Sequence, residues 1–386
     1  MIPEAYLGRE HSYVKHGLLK AYLKRLFMIL GQVENSICFV DCFAGPWSSQ
    51  EEDLKDTSIG IVFDIMRKCR EGLWKIYKRD VQFRSLFIEK TESAFEKLEC
   101  FCDDKSCEGI DLNCRRGEFI DMRNEILNWC GKDFAFFFID PTGWKNVVEI
   151  STLKKFFQRD RSEFLINFMF SFIVRAITQE RHKDDIKAIF GEIPNTQGMS
   201  PKQKESYLLY RYRENAKAAF PKTGGSPRSA YVKVEHPLHN RTKYDLVYLT
   251  RSPKGIVVFI EESEKIDWVQ RNIRAEIQQQ DRIQRSGQLE LPLIGVSTIG
   301  DLDRPDIETV KNYWLQKLSI ESRQFGTSEL ADMVEETGWF ISDFQRAFKE
   351  LEYEGRVDNL NSIRSRPKHP VHFDANKGIG ELLRKT

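Results

Sequence analysis

The sequence predicts an α/β fold: a mostly parallel, Rossmann-like sheet with an antiparallel edge, followed by a small α+β domain. Three observations predict it. Apolar runs over 37–40, 83–88 and 134–139 each stop at an acid, namely Asp41, Glu89 and Asp140. Stretches of helical periodicity alternate with these runs, the pattern of strand-helix-strand units. Beyond residue 303, three helical segments precede strand-like sequence.

Leu18, Leu19, Tyr22, Leu23, Leu26 and Phe27 recur at helical spacing, predicting an amphipathic helix over 12–30 capped by Ser12. The run 37–40 is continuously apolar, as a strand covered on both faces must be. It turns abruptly into Cys42, Phe43, Ala44, Gly45, Pro46 and Trp47. Gly45 lets backbone approach a ligand, and Pro46 stiffens the turn. A polar loop, 48–55, leads to a helix over 58–70 with Ile61, Val62, Ile65 and Met66 on one side. The strand 83–88 ends in Glu89, and a helix over 91–101 follows, with Thr91 as N-cap and Phe95 and Leu98 facing inward.

Residues 110–115 predict a third strand, running into Gly117 and Glu118, and a helix through Ile126 and Trp129 comes next. The run 134–139 is apolar throughout and must be a central strand; it stops at Asp140-Pro141-Thr142-Gly143-Trp144. A fifth strand over 164–170 precedes a charged helical insertion of about 171–222. Strand-like runs at 230–234, 244–250 and 256–259 predict antiparallel strands closing the edge. Gln-rich, then irregular, sequence over 278–303 reads as a linker, so the domains are 1–277 and 304–386. In the second, helices over 307–318, 327–336 and 341–354 precede strands over 356–360 and 371–373. These flank a loop holding Arg364, Arg366 and Lys368. Three helices and a two-stranded wing predict a winged helix-turn-helix.

At 386 residues, with 41% hydrophobic and 30% charged, the chain has the profile of a globular protein able to bury a full core. A net charge of +1 excludes a globally basic nucleic-acid binder, so any basic surface is local. The amino terminus lacks a secretory pattern, and no apolar run reaches the roughly 18 residues of a spanning helix. A cytoplasmic protein without membrane attachment is expected. All eight cysteines lie between Cys38 and Cys130, unlike a secreted disulfide framework. Cys100, Cys102, Cys107 and Cys114 lack the paired knuckles of structural zinc, so free thiols and no metal are expected.

Acids at three strand ends are what a class I S-adenosylmethionine-dependent methyltransferase would supply. That cofactor has no phosphates, so the Gly-rich triple of dinucleotide folds is not required, and it is absent here. Asp41, in the turn with Phe43, Ala44, Gly45 and Pro46, would set negative charge near the ammonium and sulfonium. Glu89 would accept both ribose hydroxyls, with Gly117 and Glu118 on the same cofactor side. A surface acid paired with Lys90 or Lys97 is the plainer reading of Glu89. Asp140 and Pro141 stand where enzymes that methylate exocyclic amines hold the target N–H bonds. Trp144 would stack on a planar substrate, or fill the core.

The residues His11, Lys15, Tyr22 and Leu23, the turn Asp41-Cys42-Phe43-Ala44-Gly45-Pro46, the strand end Ile139-Asp140-Pro141-Thr142-Gly143, and Tyr244-Asp245-Leu246-Val247-Tyr248 with Lys254-Gly255 resemble the bacterial three-Cys-motif partner (TcmP) proteins. The likeness covers about 12–293. It implies a methyltransferase-like Rossmann domain, Lys15 beside Asp140 and Pro141 among the catalytic residues, and a radical-S-adenosylmethionine-like partner that carries the three cysteines. Three departures stand out. Trp47 replaces the family's glycine after Gly45-Pro46, Asp56-Thr57-Ser58 stands where Gly-Ser-Pro often opens the next helix, and Thr142 replaces the aromatic that commonly follows Asp-Pro.

The carboxy-terminal segment is similar to winged-helix modules appended to some members. Arg346, Arg364, Arg366 and Lys368 are its candidate nucleic-acid contacts, yet residues 303–386 hold 15 acids against 13 Lys plus Arg. Three functions therefore compete: a methyltransferase acting on a nucleic acid or a partner-presented substrate, an inert binding module recruiting a partner or DNA, and a metal-dependent nucleic-acid-processing enzyme using the three acids.

Overall fold

A computed structural model describes residues 3–45, 54–141, 143, 145–286, 304–364, 366 and 368–386. Pro46, Trp47, Thr142 and Trp144 lie outside the described residues, as does most of the polar loop expected over 48–55. The chain divides into two compact units, 1–251 and 252–386.

In the first unit, β1 (Ser36–Asp41), β2 (Gln82–Glu89), β3 (Ile110–Arg116), β4 (Phe134–Ile139), β5 (Ser162–Phe168), β6 (Arg228–Glu235) and β7 (Thr242–Thr250) form one sheet. Its order is β3-β2-β1-β4-β5-β7-β6. The first five strands pair in parallel, while β7 runs antiparallel to both β5 and β6. This is a mixed α/β, mostly parallel sheet of Rossmann-like order. All six residues of β4 are buried, which is why its sequence shows no polar alternation.

Helices α1 (Glu10–Leu30), α2 (Ser58–Tyr77), α3 (Glu92–Lys105), α4 (Phe119–Cys130), α5 (Ile150–Phe157), α6 (Phe170–Ile177), α7 (Lys183–Phe190) and α8 (Pro201–Ala218) complete this unit. α1 packs on one face, where Tyr22 meets Phe136 and Phe27 meets Phe83. α4, α5, α7 and α8 share a core on the other face with Phe137, Phe164 and Phe168. One buried polar knot ties α1 to the sheet. Tyr22 donates to Glu163 at 2.6 Å and lies 2.6 Å from the Tyr248 hydroxyl, while Thr250 donates to the same carboxylate at 2.8 Å.

In the second unit, α9 (Pro253–Ser286), α10 (Ile307–Lys317), α11 (Thr327–Thr337) and α12 (Ile341–Tyr353) are accompanied by a three-stranded antiparallel sheet. Its strands are β8 (Arg323–Phe325), β9 (Val357–Asn359) and β10 (Glu381–Lys385), in the order β8-β10-β9. Trp314 is the buried centre, ringed by Phe325, Phe344, Phe348 and Phe373.

Several expectations are corrected. The run 256–259 is helical, not a strand: Pro253 opens α9, and the buried Ile256, Val257, Val258, Phe259 and Ile260 belong to its first turns. The Gln-rich stretch continues that 34-residue helix as far as Ser286, so 278–286 are helical, while the rest of the expected linker, 287–303, lies outside the described residues. Ser12 lies inside α1, whose cap position is Arg9, and Thr91 sits at its cap without a side-chain bond. Residues 371–373 form no strand; β9 pairs instead with β10, and a third strand, β8, joins them. Phe170 opens α6 in place of ending β5.

Candidate functional site

The strand order reverses between β1 and β4, which makes that gap the topological switch point of the sheet. In open α/β sheets the ligand crevice lies outside the carboxyl ends of the strands at such a point. Asp41 ends β1 and Asp140 follows β4, so both acids flank it, and Glu89 ends the neighbouring β2. The sheet thus gathers the three sequence-predicted acids on one edge.

Asp41 is fully buried. Its Oδ1 accepts the Phe43 backbone N–H at 3.0 Å, and its Oδ2 accepts the Ser58 hydroxyl at 2.7 Å. Burial pushes the carboxyl up from 3.8 to about 6, against the pull of those two donors. The side chain therefore braces the turn against the first residue of α2. That helix is held in turn by the Thr57 cap, whose hydroxyl accepts from Gly60 N at 3.3 Å. The turn is also pinned by Cys42 N to Phe138 O and by Ala44 N to Ile88 O, both 2.9 Å. Gly45 takes φ +70°, where an L side chain would be strained.

Glu89 is buried, and its Oε1 accepts Thr91 N at 2.6 Å, which fixes the carboxylate at the strand tip. Gly117 N donates to Glu89 O at 3.0 Å, bringing the β3 exit against it. A Cβ on Gly117 would meet Met122 Sδ at 2.6 Å, so a larger residue there would push the Met122 side chain aside. Glu118 is exposed and pairs with Lys90 at 3.3 Å. The salt bridge expected as the plain alternative for Glu89 thus falls on Glu118.

On the other side of the switch point, Lys15 donates to Asp140 Oδ2 and Asn167 Nδ2 donates to Asp140 Oδ1 at 2.7 Å. Pro141 is buried beside them in sequence. Lys15 precedes Tyr22 by seven residues, two helical turns on the same face of α1, so the knot that seats Tyr22 also aims Lys15. His11 and Lys243 lie at the same end, with Lys243 Nζ 2.9 Å from His11 Nδ1 and the Tyr244 hydroxyl donating to His11 O at 3.0 Å. Burial, then Lys243 and Lys15, lower His11 to about 4, so its ring is neutral. His16, deeper, is lowered to about 3 by burial and bonds the Tyr6 hydroxyl at 3.0 Å.

Asn167 and Ser58 escaped the sequence reading. The signal for Asn167 was present: one amide inside the apolar run Leu165-Ile166-Asn167-Phe168. Arg346, Arg364, Arg366 and Lys368 belong to the second unit. Arg346, Arg364 and Lys368 are exposed, whereas Arg366 is bound to the buried Glu381 at 2.8 Å.

The chemistry of the donor set fits a nucleoside cofactor without phosphates: a rigid carboxylate at Glu89, a glycine turn at Gly45, and apolar Phe43 and Ala44 between them. Among the described residues, no three His, Cys, Asp or Glu side chains gather to hold a metal ion, and no helix is long and apolar enough to cross a membrane.

No family model matches the chain, and no curated protein matches it. Among solved structures, a Legionella pneumophila protein of the DUF519 family is similar at 10% identity, with TM-score 0.35, over 62% of this chain and 85% of that one. A candidate O-methyltransferase from Klebsiella pneumoniae is similar at 11% identity, with TM-score 0.33, over 62% of this chain and 80% of that one. Likenesses this slight carry no argument about activity.

Proposed function

We propose that the chain is an S-adenosylmethionine-dependent methyltransferase acting on a nucleic acid or a substrate presented by a partner protein, as its resemblance to the three-Cys-motif partner proteins implies. The observation that supports it is the gathering of Asp41, Glu89 and Asp140 on the carboxyl edge at the switch point. When bound, the cofactor supplies a methyl group on a sulfonium and leaves as a neutral thioether. Glu89 would hold the ribose hydroxyls, with Gly117 beside it. Phe43, Ala44 and Gly45 would line the turn, and Asp41 would keep that turn in shape while adding negative charge behind it. Lys15 and Asp140 would orient the acceptor at the opposite end of the crevice, with Pro141 stiffening the chain between.

Calorimetric titration of the full chain with S-adenosylmethionine tests this. One-to-one binding is expected, weakened at least tenfold in Glu89→Ala, since two charge-assisted hydrogen bonds are lost. Folded protein that takes up no cofactor would refute it.

The second unit reads as a winged helix-turn-helix, with α12 as the recognition helix and the loop after β9 as the wing. Because Arg366 is engaged with Glu381, phosphate contact would fall to Arg364 and Lys368, with Arg346 on α12. A radical-S-adenosylmethionine-like protein is the partner the resemblance implies. One observation favours the inert-module reading instead: both oxygens of Asp41 are already used inside the protein.

A further inference from the structure

The acceptor end of the crevice holds a buried acceptor with nothing to accept. Asn167 is 3% exposed, and its Oδ1 makes no hydrogen bond. The amide cannot relieve this by turning over, because Nδ2 donates to Asp140 and a reversed amide would set oxygen against carboxylate. A buried polar atom left bare costs about 1–3 kcal/mol, and in native proteins such atoms mark strain, bound water or function. Strain in the strand is not the cause. Asn167 sits in regular register opposite Leu246, and Glu163 four residues earlier has its hydrogen bonds met.

The arrangement therefore offers two neighbouring acceptors, Asn167 Oδ1 and the remaining lone pairs of Asp140, with Lys15 as the flanking donor. A hydroxyl has one hydrogen to give, and an ether or thioether none; a primary amino group has two. On this rim Lys15 and Lys243 are balanced by Glu10 and Asp140, which suits an uncharged planar group that carries a primary amine. We propose that Asn167 is the specificity-determining residue of the acceptor site, reading the exocyclic amino group of an unpaired nucleobase through its Oδ1 while Asp140 takes the second N–H. This deepens the methyltransferase reading and rests on it.

The test uses the full chain, with and without saturating S-adenosylhomocysteine, titrated with single-stranded hexanucleotides that differ in the amino group: cytosine against uracil, and adenine against hypoxanthine. In at least one pair the amino-bearing strand binds at least tenfold tighter, the discrimination expected when its absence leaves a buried acceptor bare. Asn167→Leu reduces that ratio to within twofold, and Asn167→Ser, the smaller change, reduces it while preserving the fold. S-adenosylhomocysteine affinity in the same variants reports whether fold and cofactor end are intact. Equal binding within both pairs, no binding of any strand, or a ratio that survives both substitutions overturns the proposal and leaves Oδ1 to an ordered water. A preference for a glutamine-bearing peptide over every strand overturns it in favour of a protein acceptor. Failure of S-adenosylhomocysteine to bind wild type, with the base preference intact, refutes the cofactor reading alone.

Discussion

The two units treat buried polarity in opposite ways. Among the described residues, every buried side-chain nitrogen or oxygen without a partner belongs to the first unit, including Asn167, Tyr212 and both oxygens of Asp245. Among the described residues, the buried charges of the second unit have partners. Glu381 accepts from Arg366 at 2.9 Å, Asn359 at 2.7 Å and His372 N at 2.8 Å, and Arg304 bridges Asp343 and Glu264. Lys311 is shared by Glu308, Glu350 and Glu354. Proteins break their own packing rules mainly at functional sites, and the unpartnered atoms fall in the same unit as the proposed ligand crevice.

The largest effect that would sharpen this contrast is in the second unit. Glu381→Leu strands Arg366, Asn359 and the His372 N–H together, and should cost about 3 kcal/mol in urea unfolding. A loss below about 1 kcal/mol would show that water screens the cluster and would dissolve the contrast. The next concerns Asp41. Its raised carboxyl, near 6 against 3.8, means the folded chain keeps a proton that the unfolded chain has released, so its contribution is full below pH 4 and lost as pH climbs through 6. That gap is worth about 3 kcal/mol. Asp41→Asn keeps the acceptor for Phe43 N and should flatten this slope, making the variant more stable near pH 7. His11 and His16, lowered by burial, act with the reverse sign: their contribution is present above 6.5 and lost as pH falls. An unaltered pH profile in the variant would mean Asp41 stays ionised.

Smaller still is Asp245→Leu. Burial holds that carboxyl well above its usual range, and neither oxygen has a partner, so the substitution should raise stability by about 2 kcal/mol. An unchanged melting temperature would place an ordered water there. The least effect is expected from Arg364→Ala with Lys368→Ala, which should lower the salt dependence of DNA binding by about two in slope. If the slope does not move, the wing is a protein-docking or solvated loop.

Much of the first unit was legible in the sequence, because parallel strands covered on both faces leave uninterrupted apolar runs. The runs ending at Asp41, Glu89 and Asp140 needed no tertiary information. The opening of α9 was not legible: Ile256-Val257-Val258-Phe259-Ile260 is β-branched and apolar, so period alone cannot separate strand from buried helix, and Pro253 was the telling residue. β10 was hidden because only two residues of the strand, Glu381 and Leu383, are buried and its partners are three-residue strands. At the site, sequence located the acids but not their engagements. That Asp41 spends its oxygens on Phe43 and Ser58, and that Asn167 reaches Asp140, depend on side-chain directions set by residues far away in the chain.

The polar knot joining Tyr22 to Tyr248 spans 226 residues of chain. A ribosome adding about 5–20 residues per second needs roughly 10–45 s to travel from one tyrosine to the other. Throughout that interval the first helix has no Tyr248 hydroxyl to meet, and the fifth strand, once made, lacks the neighbour that will later cover its edge. The first unit therefore waits on the ribosome for the strand that completes its sheet, and a message cut short before residue 242 would release a chain with an open sheet and half of its polar knot missing.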